Sequence, residues 1–581
     1  MNTLLRRSVY VLAIAFALLA AAARLHSQSP SQGVPAPTIR VSTRLVLVDV
    51  VVTDKQGKPV SGLKAEDFTI EEKGKKQKIA VFQTPEEAQQ QNTPPQLGPG
   101  LYTNRPEFRS PGGPLTVLLL DAANTPFQDQ AYSRQQMLKY VSQQAKPGTR
   151  MGVFTLTNSL RVLQDFTVDP EILLAALKKY QPQEQILQNG VPPPVSAGAQ
   201  TLGPRQAATV AQVESIAQGF QSVQMSYALD RRVDITLNAM RSLARILGGI
   251  PGRKNIVWLT AAFPFELIPQ DRNVSEAELV ADLPNIQHKN VDTIATGSVA
   301  ATQRQSYAPE IRQAAAELST AQVAIYPVDV RGLISGAEFM REDSANRQSS
   351  NTSERAIVRM SDVTASQETM KAVAEETGGK VYINQNEVAV GVALAVQDNA
   401  ASYTIGYYPE DKKWDGKYRS IKVKLARDGL QLRHRRGYFG IDPSQQKDRK
   451  PEQQVAEALR DNAPSTLVIF SAQVKPGEKG KLAIAFLVDA NSLSAEDVSG
   501  GKKLSFAYYA ALFSPEGKML ENRSQKAEQT FKEDIYRQVL QQGILLHLDL
   551  DSKLDKGELR LAVQDLRTGM VGTIDAPMSL P

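Results

Sequence analysis

The chain has 581 residues, 42% hydrophobic and 22% charged, with a formal net charge of +6 and no cysteine. That length exceeds a single core and predicts about three or four domains, in a composition that folds. The missing cysteine excludes disulfides, thiolate metal sites and a lipidated-cysteine anchor, and the weak charge, with acids interspersed among bases, excludes a nucleic-acid footprint.

Arg6 and Arg7 precede an apolar run from Val9 to Ala23, followed by polar Ser27 and Gln28. This layout predicts a secretory signal peptide over 1–28 and export to the periplasm or beyond the cell. The run is short of the roughly 20 residues a spanning helix needs; retention as an N-terminal anchor is the alternative. No later segment is apolar enough to span, so no transmembrane span is expected after cleavage. Val41 to Thr53 is β-rich and ends at the turn Asp54-Lys55-Gln56-Gly57. With Leu63 to Glu72 and Gln77 to Gln83 it predicts a small Ig-like β-domain over 38–83, marginal alone and so docked on its neighbour. Residues 84–112, rich in Gln, Pro and Gly, read as a linker.

The pattern then changes. Leu115 to Leu120, ending in Asp121, and Val323 to Val328, ending in Asp329, are apolar runs suited to buried strands. Met151 to Leu156, Leu160 to Phe166 and Asn255 to Thr260 add three more. Helical patterns alternate with them at Gln130 to Gln144, Pro170 to Tyr180, Val213 to Leu247, Ile311 to Thr320, Thr369 to Thr377 and Val388 to Asn399. This predicts an α/β domain over 113–400 with a doubly wound sheet. An inserted loop lies at about 181–206, polar residues 335–362 read as an exposed loop, and Lys380 to Ile383 as a strand. Gly248-Gly249 and Gly378-Gly379 read as helix stops. Residues 401–441 read as a β extension, 442–463 as a linker and 464–581 as a β-sandwich. The paired acids Glu71-Glu72 read as solvated charge, and Arg433-His434-Arg435-Arg436 as a short exposed strand, with contact to an anionic polysaccharide, lipid or nucleic acid as the alternative.

Several pieces resemble the acidobacterial von Willebrand factor A-related domain family. They are Val48-Asp49-Val50-Val51-Val52-Thr53-Asp54, Gly57-Lys58-Pro59-Val60, Leu63 with Glu66-Asp67-Phe68, Leu118-Leu119-Leu120-Asp121, Pro251-Gly252-Arg253-Lys254-Asn255 and Gly437-Tyr438-Phe439. The resemblance covers about 38–441. It implies a multidomain α/β plus β protein: a central von Willebrand A-like doubly wound sheet, flanked here by the N-terminal β-domain and the C-terminal β-sandwich. It also implies a metal-ion-dependent adhesion site at the carboxyl ends of the strands, where open sheets take ligands. The expected Asp-x-Ser-x-Ser is Asp121-Ala122-Ala123-Asn124-Thr125 here. Asp121 and Thr125 match, whereas Ala123 offers no oxygen. The later Thr-Asp-Gly is Thr260-Ala261-Ala262, which lacks its carboxylate, and Thr236 is the counterpart of the loop threonine.

Mg²⁺ or another divalent cation takes oxygen ligands, usually with one or two carboxylates. Asp121, Thr125 and Asp329 are therefore the candidate metal ligands of a degenerate site, with Asn124, Asp129 and Asp165 as further candidates. The histidines His26, His288, His434 and His547 are too scattered in sequence for a cluster, and no phosphate loop or nucleophile elbow is present. The expected function is an exported, non-catalytic protein for binding, adhesion or scaffolding, with a protein or cell-surface ligand. The alternatives are a metal-assisted hydrolase using Asp121 and Asp329, or a purely structural envelope component.

Overall fold

A computed structural model of the chain describes residues 45–88, 95–109, 113–146, 148–182, 230–263, 308–332, 352–385, 387–411, 413–442, 444, 450–461, 463–477, 481–514, 517–551 and 556–579. The signal-peptide reading at 1–28, the helical pattern from Val213 to Tyr227, most of the loop at 181–206 and the polar stretch 335–351 lie outside the described residues.

The apolar runs of the α/β region form one sheet of five strands: β6 (Leu115–Asp121), β7 (Arg150–Leu156), β8 (Leu160–Thr167), β9 (Lys254–Thr260) and β10 (Val323–Asp329). Their order is β10-β9-β6-β7-β8. All neighbours are parallel except β7 and β8. Only residues 157–159 join those two, too few for the crossover a parallel pair requires. Alternate side chains serve two layers of helices. Leu118, Leu120, Val257 and Leu259 belong to the core with α1 (Phe127–Gln143), α2 (Pro170–Lys179) and α6 (Val388–Ala400). Val117, Leu119, Ile256 and Trp258, on the other parity, belong to the core with α3 (230–247), α4 (Ala308–Thr320) and α5 (Thr352–Thr377).

Two expectations for this region change. Residues 352–362, read as loop, open α5; polar and charged residues dominate there, so the sequence shows no sustained apolar stripe. Lys380 to Ile383, read as a strand, reduces to one parallel bridge between Val328 and Tyr382, and the chain turns away at Asn384 with φ 54°.

The N-terminal β-domain and the β extension, separated in sequence by the whole α/β region, are one sandwich. Val46–Thr53 (β1), Ile79–Gln83 (β4), Ser402–Tyr407 (β11) and Gln431–Arg433 (β13) make one sheet, in the order β13-β1-β11-β4. Phe68–Glu72 (β2), Lys75–Gln77 (β3), Tyr418–Leu425 (β12) and Gly437–Phe439 (β14) make the other, in the order β14-β12-β2-β3. Val48, Val50, Ile70, Tyr403, Ile405 and Val423 share the apolar core between them. Neither half alone offers two complete sheets, which is the physical reason for the long-range pairing. Glu72 is not solvated. Its carboxylate accepts from Tyr407 Oη at 2.7 Å and Tyr438 Oη at 2.9 Å, and lies 3.4 Å from the fully buried Arg419 guanidinium.

Strand β1 is buried on both faces. Its second face meets the N-terminal ends of the parallel strands. Asp49 accepts from Thr404 Oγ1 at 2.6 Å and from Gln322 Nε2 at 3.2 Å. The arginine run, read as exposed, fastens this contact. Arg433 donates to Asp398 at 2.6 Å; Arg435 donates to the carbonyls of Leu47 at 2.7 Å and Ser319 at 3.1 Å; Arg436 pairs with Glu375. A guanidinium's fork of donors can reach several carbonyls at once, which a single ammonium does with less geometric order.

The remaining strands form a C-terminal sandwich. Leu101–Thr103 (β5), Phe470–Pro476 (β15), Lys481–Val488 (β16) and Ile544–Asp551 (β20) make one sheet, in the order β20-β16-β15-β5. Ala495–Val498 (β17), Gly501–Phe513 (β18), Lys556–Asp565 (β21) and Val571–Ser579 (β22) make the other, in the order β17-β18-β21-β22, with Met519–Phe531 (β19) paired to β18. Strand β5 corrects the linker reading of 84–112: Asn104 beside it donates to the carbonyls of Ser465 and Val468, both at 2.8 Å. Helix α7 (Pro451–Arg460) corrects the linker at 442–463 and covers β21 and β22 through Val455 and Leu459. Helix α8 (Glu533–Gln542) joins β19 to β20.

Both glycine pairs do more than end helices. A Cβ on Gly249 would stand 1.9 Å from the Thr466 carbonyl oxygen, and one on Gly379 would stand 1.9 Å from that of Ile325. Thr466 closes the first contact by donating from its N–H to Arg245 O at 3.0 Å, while its hydroxyl accepts from the Gly249 N–H at 2.8 Å. Gly249 thus seats the C-terminal sandwich on the end of α3.

Lys254, at the start of β9, is fully buried and donates to Ile250 O at 2.7 Å. Burial pushes its ammonium down to about 7, with Asp49 opposing and Arg150 adding to the shift. The unfolded amine holds its proton up to 10.5. Between these values the unfolded state binds more protons, so stability rises as pH climbs through the window. Urea midpoints of the parent protein measured across it should therefore increase, and Lys254→Met should flatten that rise; a parent profile that is already flat contradicts the assignment.

Candidate functional site

The carboxyl ends of β6 and β9 meet at the point where the chain, having built β6, β7 and β8 on one side, crosses back to begin β9 on the other. Open sheets take ligands at such switch points. Asp121 ends β6 there and is 2% exposed. A carboxylate removed from water needs donors, and the structure supplies them. Asn124 gives its backbone N–H at 3.0 Å and its side-chain amide at 3.0 Å; Trp258 gives Nε1 at 2.9 Å. Burial pushes the Asp121 carboxyl up, and the bonds from Asn124 and Trp258 oppose that shift.

The Asn124 amide extends the chain of contacts onto α3. It also donates to Thr236 Oγ1 at 2.9 Å, and Thr236 Oγ1 in turn donates to Arg232 O at 2.8 Å. The amide oxygen of Asn124 accepts from Arg232 Nε at 3.1 Å. Asn124 thereby stands between the part-buried Arg232 guanidinium and the Asp121 carboxylate. The two terminal nitrogens of Arg232 have no hydrogen-bond partner among the described residues. Thr125 Oγ1 accepts from the Ala261 N–H at 3.2 Å.

Asp329 is elsewhere. It ends β10, two strands from β6, a separation of about 10 Å at ordinary strand spacing. Arg331 grips both its oxygens at 2.8 Å, and Gln367 Nε2 adds a bond at 3.0 Å. The Asp129 carboxyl, on α1, is pushed up by burial and feels Arg331 and Asp329. Asp165 lies on the outer strand β8 and accepts from the neighbouring Phe166 N–H. The structure therefore joins Asp121, Asn124, Thr125 and Thr236 at one place and separates Asp329 and Asp165 from them.

This donor set does not fit a divalent cation. The Asp121 oxygens face N–H donors, Ala123 contributes no oxygen, and Thr236 is engaged on both sides. Among the described residues no group of three or more His, Asp or Glu stands ready to hold a metal. The hollow beside Asp121, lined by Ala122, Gln130, Ser133 and Tyr180, has a volume of about 10 Å³, room for about one water and far below the roughly 300–1,000 Å³ of small-molecule sites. Two residues central to this site carry only faint signals in the sequence. Trp258 reads as strand core, although it shares a strand face with Thr260. Arg232 lies four residues before Thr236, the spacing that puts two side chains on one helix face.

No family model matches the sequence, and no curated protein matches it. Among solved structures, an aerotolerance-related membrane protein from Bacteroides fragilis NCTC 9343 aligns with 49% of this chain and 99% of its own, at 12% identity and a TM-score of 0.21. Three N-terminal domains of the type V pili tip protein Mfa5 from Porphyromonas gingivalis align with 94% of this chain and 77% of their own, at 9% identity and a TM-score of 0.20. Likenesses this low carry no fold or function to this chain. No helix among the described residues is long and apolar enough to cross a membrane.

Removing the amide at the centre of the site should loosen β6, β9 and α3 together. Asn124→Ala leaves the buried Asp121 carboxylate short of donors, and the expected loss is about 1–3 kcal/mol. Denaturant midpoints at neutral pH measure it; a midpoint equal to the parent's contradicts a structural role for the network.

Proposed function

We propose that the chain is an exported, non-catalytic binding protein, presenting the carboxyl ends of a von Willebrand A-like sheet to a protein or cell-surface partner. In this reading Arg232 stands where the family's adhesion site would use a metal ion, and it takes an acidic group of the partner directly. The strand order, with one antiparallel edge strand and helices on both faces, supports the von Willebrand A-like part. The layout of Arg6, Arg7 and the run from Val9 to Ala23 supports export. Fold by itself is only an analogy for function.

The observation that carries the reading is the Arg232 guanidinium, held through Nε on Asn124 at 3.1 Å and attracted by the Asp121 charge, with terminal nitrogens that donate no hydrogen bond to a described residue. A guanidinium fixed at one edge offers its remaining donors in a planar fork that suits a carboxylate. The hydrolase reading needs Asp121 and Asp329 at one reacting centre, and the Arg331 grip on Asp329 opposes it.

An array of Asp- and Glu-containing peptides, probed with the purified chain in the presence of a metal chelator, tests the proposal. Acidic peptides should bind without metal, and Arg232→Ala should weaken them about tenfold or more, the worth of one charge-assisted hydrogen bond. Binding that requires added Mg²⁺, or that persists unchanged in Arg232→Ala, contradicts it.

A further inference from the structure

The sheet β14-β12-β2-β3 buries one face in the N-terminal sandwich and turns the other outward. Its central strand shows the alternation: Ile421 and Val423 of β12 are buried, while Ser420, Lys422 and Lys424 are exposed. The register brings lysines from distant parts of the sequence into one array. Lys422 lies opposite Glu71, and Glu71 lies opposite Lys76. Lys424 stands two residues along from Lys422, and exposed Lys78 follows β3. Lys73 and Lys75, also exposed, crown the β2–β3 hairpin. The acids nearby are already taken: Glu71 pairs with Lys424, and Asp411 pairs with Lys73 at 3.1 Å. Lys75, Lys76, Lys78 and Lys422 have no ion-pair partner among the described residues.

We propose that this outer sheet face docks on an anionic phospholipid surface. The shape and the residue type favour that partner. The lysines stand on a sheet face, about 7 Å apart along a strand and about 10 Å apart across the intervening β2. All are ammonium groups on flexible stems, point charges that follow mobile headgroups without demanding a fixed acceptor geometry. An acidic polysaccharide or nucleic-acid strand is usually gripped with arginine forks or aromatic platforms. The exposed aromatic on this face, Tyr418, lies at the far end of β12 and donates to Glu376. Clustered lysines at an anionic membrane act together and lose their hold as salt screens them.

The test is sedimentation of the full chain with vesicles of phosphatidylglycerol and phosphatidylcholine in equal parts, against vesicles of phosphatidylcholine alone. The anionic vesicles should carry down about tenfold more protein, and this excess should vanish in molar salt, where the screening length falls to about 3 Å. The triple variant Lys76→Gln, Lys422→Gln, Lys424→Gln should abolish the excess. The triple Lys76→Arg, Lys422→Arg, Lys424→Arg should keep it, as should Lys518→Gln with Lys526→Gln in the C-terminal sandwich. The substituted side chains are exposed, so unchanged thermal midpoints verify folding. Equal binding to both vesicles, an undiminished excess in the glutamine triple, or binding to heparin without binding to anionic vesicles overturns the proposal.

Discussion

A carboxylate buried at the end of the central strand sets the terms for the surrounding structure. Asp121 is enclosed by apolar strand residues, and an ion there is tolerable only if its oxygens are met by donors. Asn124 and Trp258 meet them. In doing so they tie the loop after β6 to the neighbouring strand β9, and the Asn124 amide ties both to α3 through Thr236 and Arg232. The same carboxylate in a metal site would face oxygen ligands and a cation. Here the donors are protein N–H groups, and the positive charge comes from a guanidinium held by Asn124.

Forked donors also hold the larger pieces together. The face of β1 turned away from its sandwich carries Asp49, and the arginines of residues 433–436 reach carbonyls and carboxylates of the α/β region. At the other side, Arg245 on α3 bonds Asp461 at 3.0 Å while Gly249 admits the backbone of Thr466. Both contacts rest on backbone approach and forked side chains. The described residues accordingly form one compact unit.

The parallel strands are legible in the sequence because burial on both faces leaves a continuous apolar run, and Asp121 stands out as the acid ending one of them. What the sequence hides is pairing. Val46–Thr53 looks like part of a local domain, yet its partner strand is Ser402–Tyr407, and no local signal records that distance. Leu101–Thr103 is too short to stand out from a Pro- and Gly-rich stretch. Met519–Phe531 is exposed along nearly its whole length, so it lacks the alternation that marks a half-buried strand. At the site, Ala123 and the missing acid after Thr260 announce a departure from the metal-binding pattern. The groups that bond Asp121 and Asn124 there, Trp258 and Arg232, come from elements whose contact only the fold creates.

On the proposed reading, an Asp121 whose oxygens are met by the protein's own donors takes no cation. Isothermal titration of Mg²⁺, Mn²⁺ and Ca²⁺ into the purified protein, with Asp121→Ala alongside, tests this most directly. The expected result is no binding heat in either protein. Saturable binding in the parent that disappears in Asp121→Ala would contradict it, because the carboxylate would then have to leave Asn124 and Trp258 for the ion.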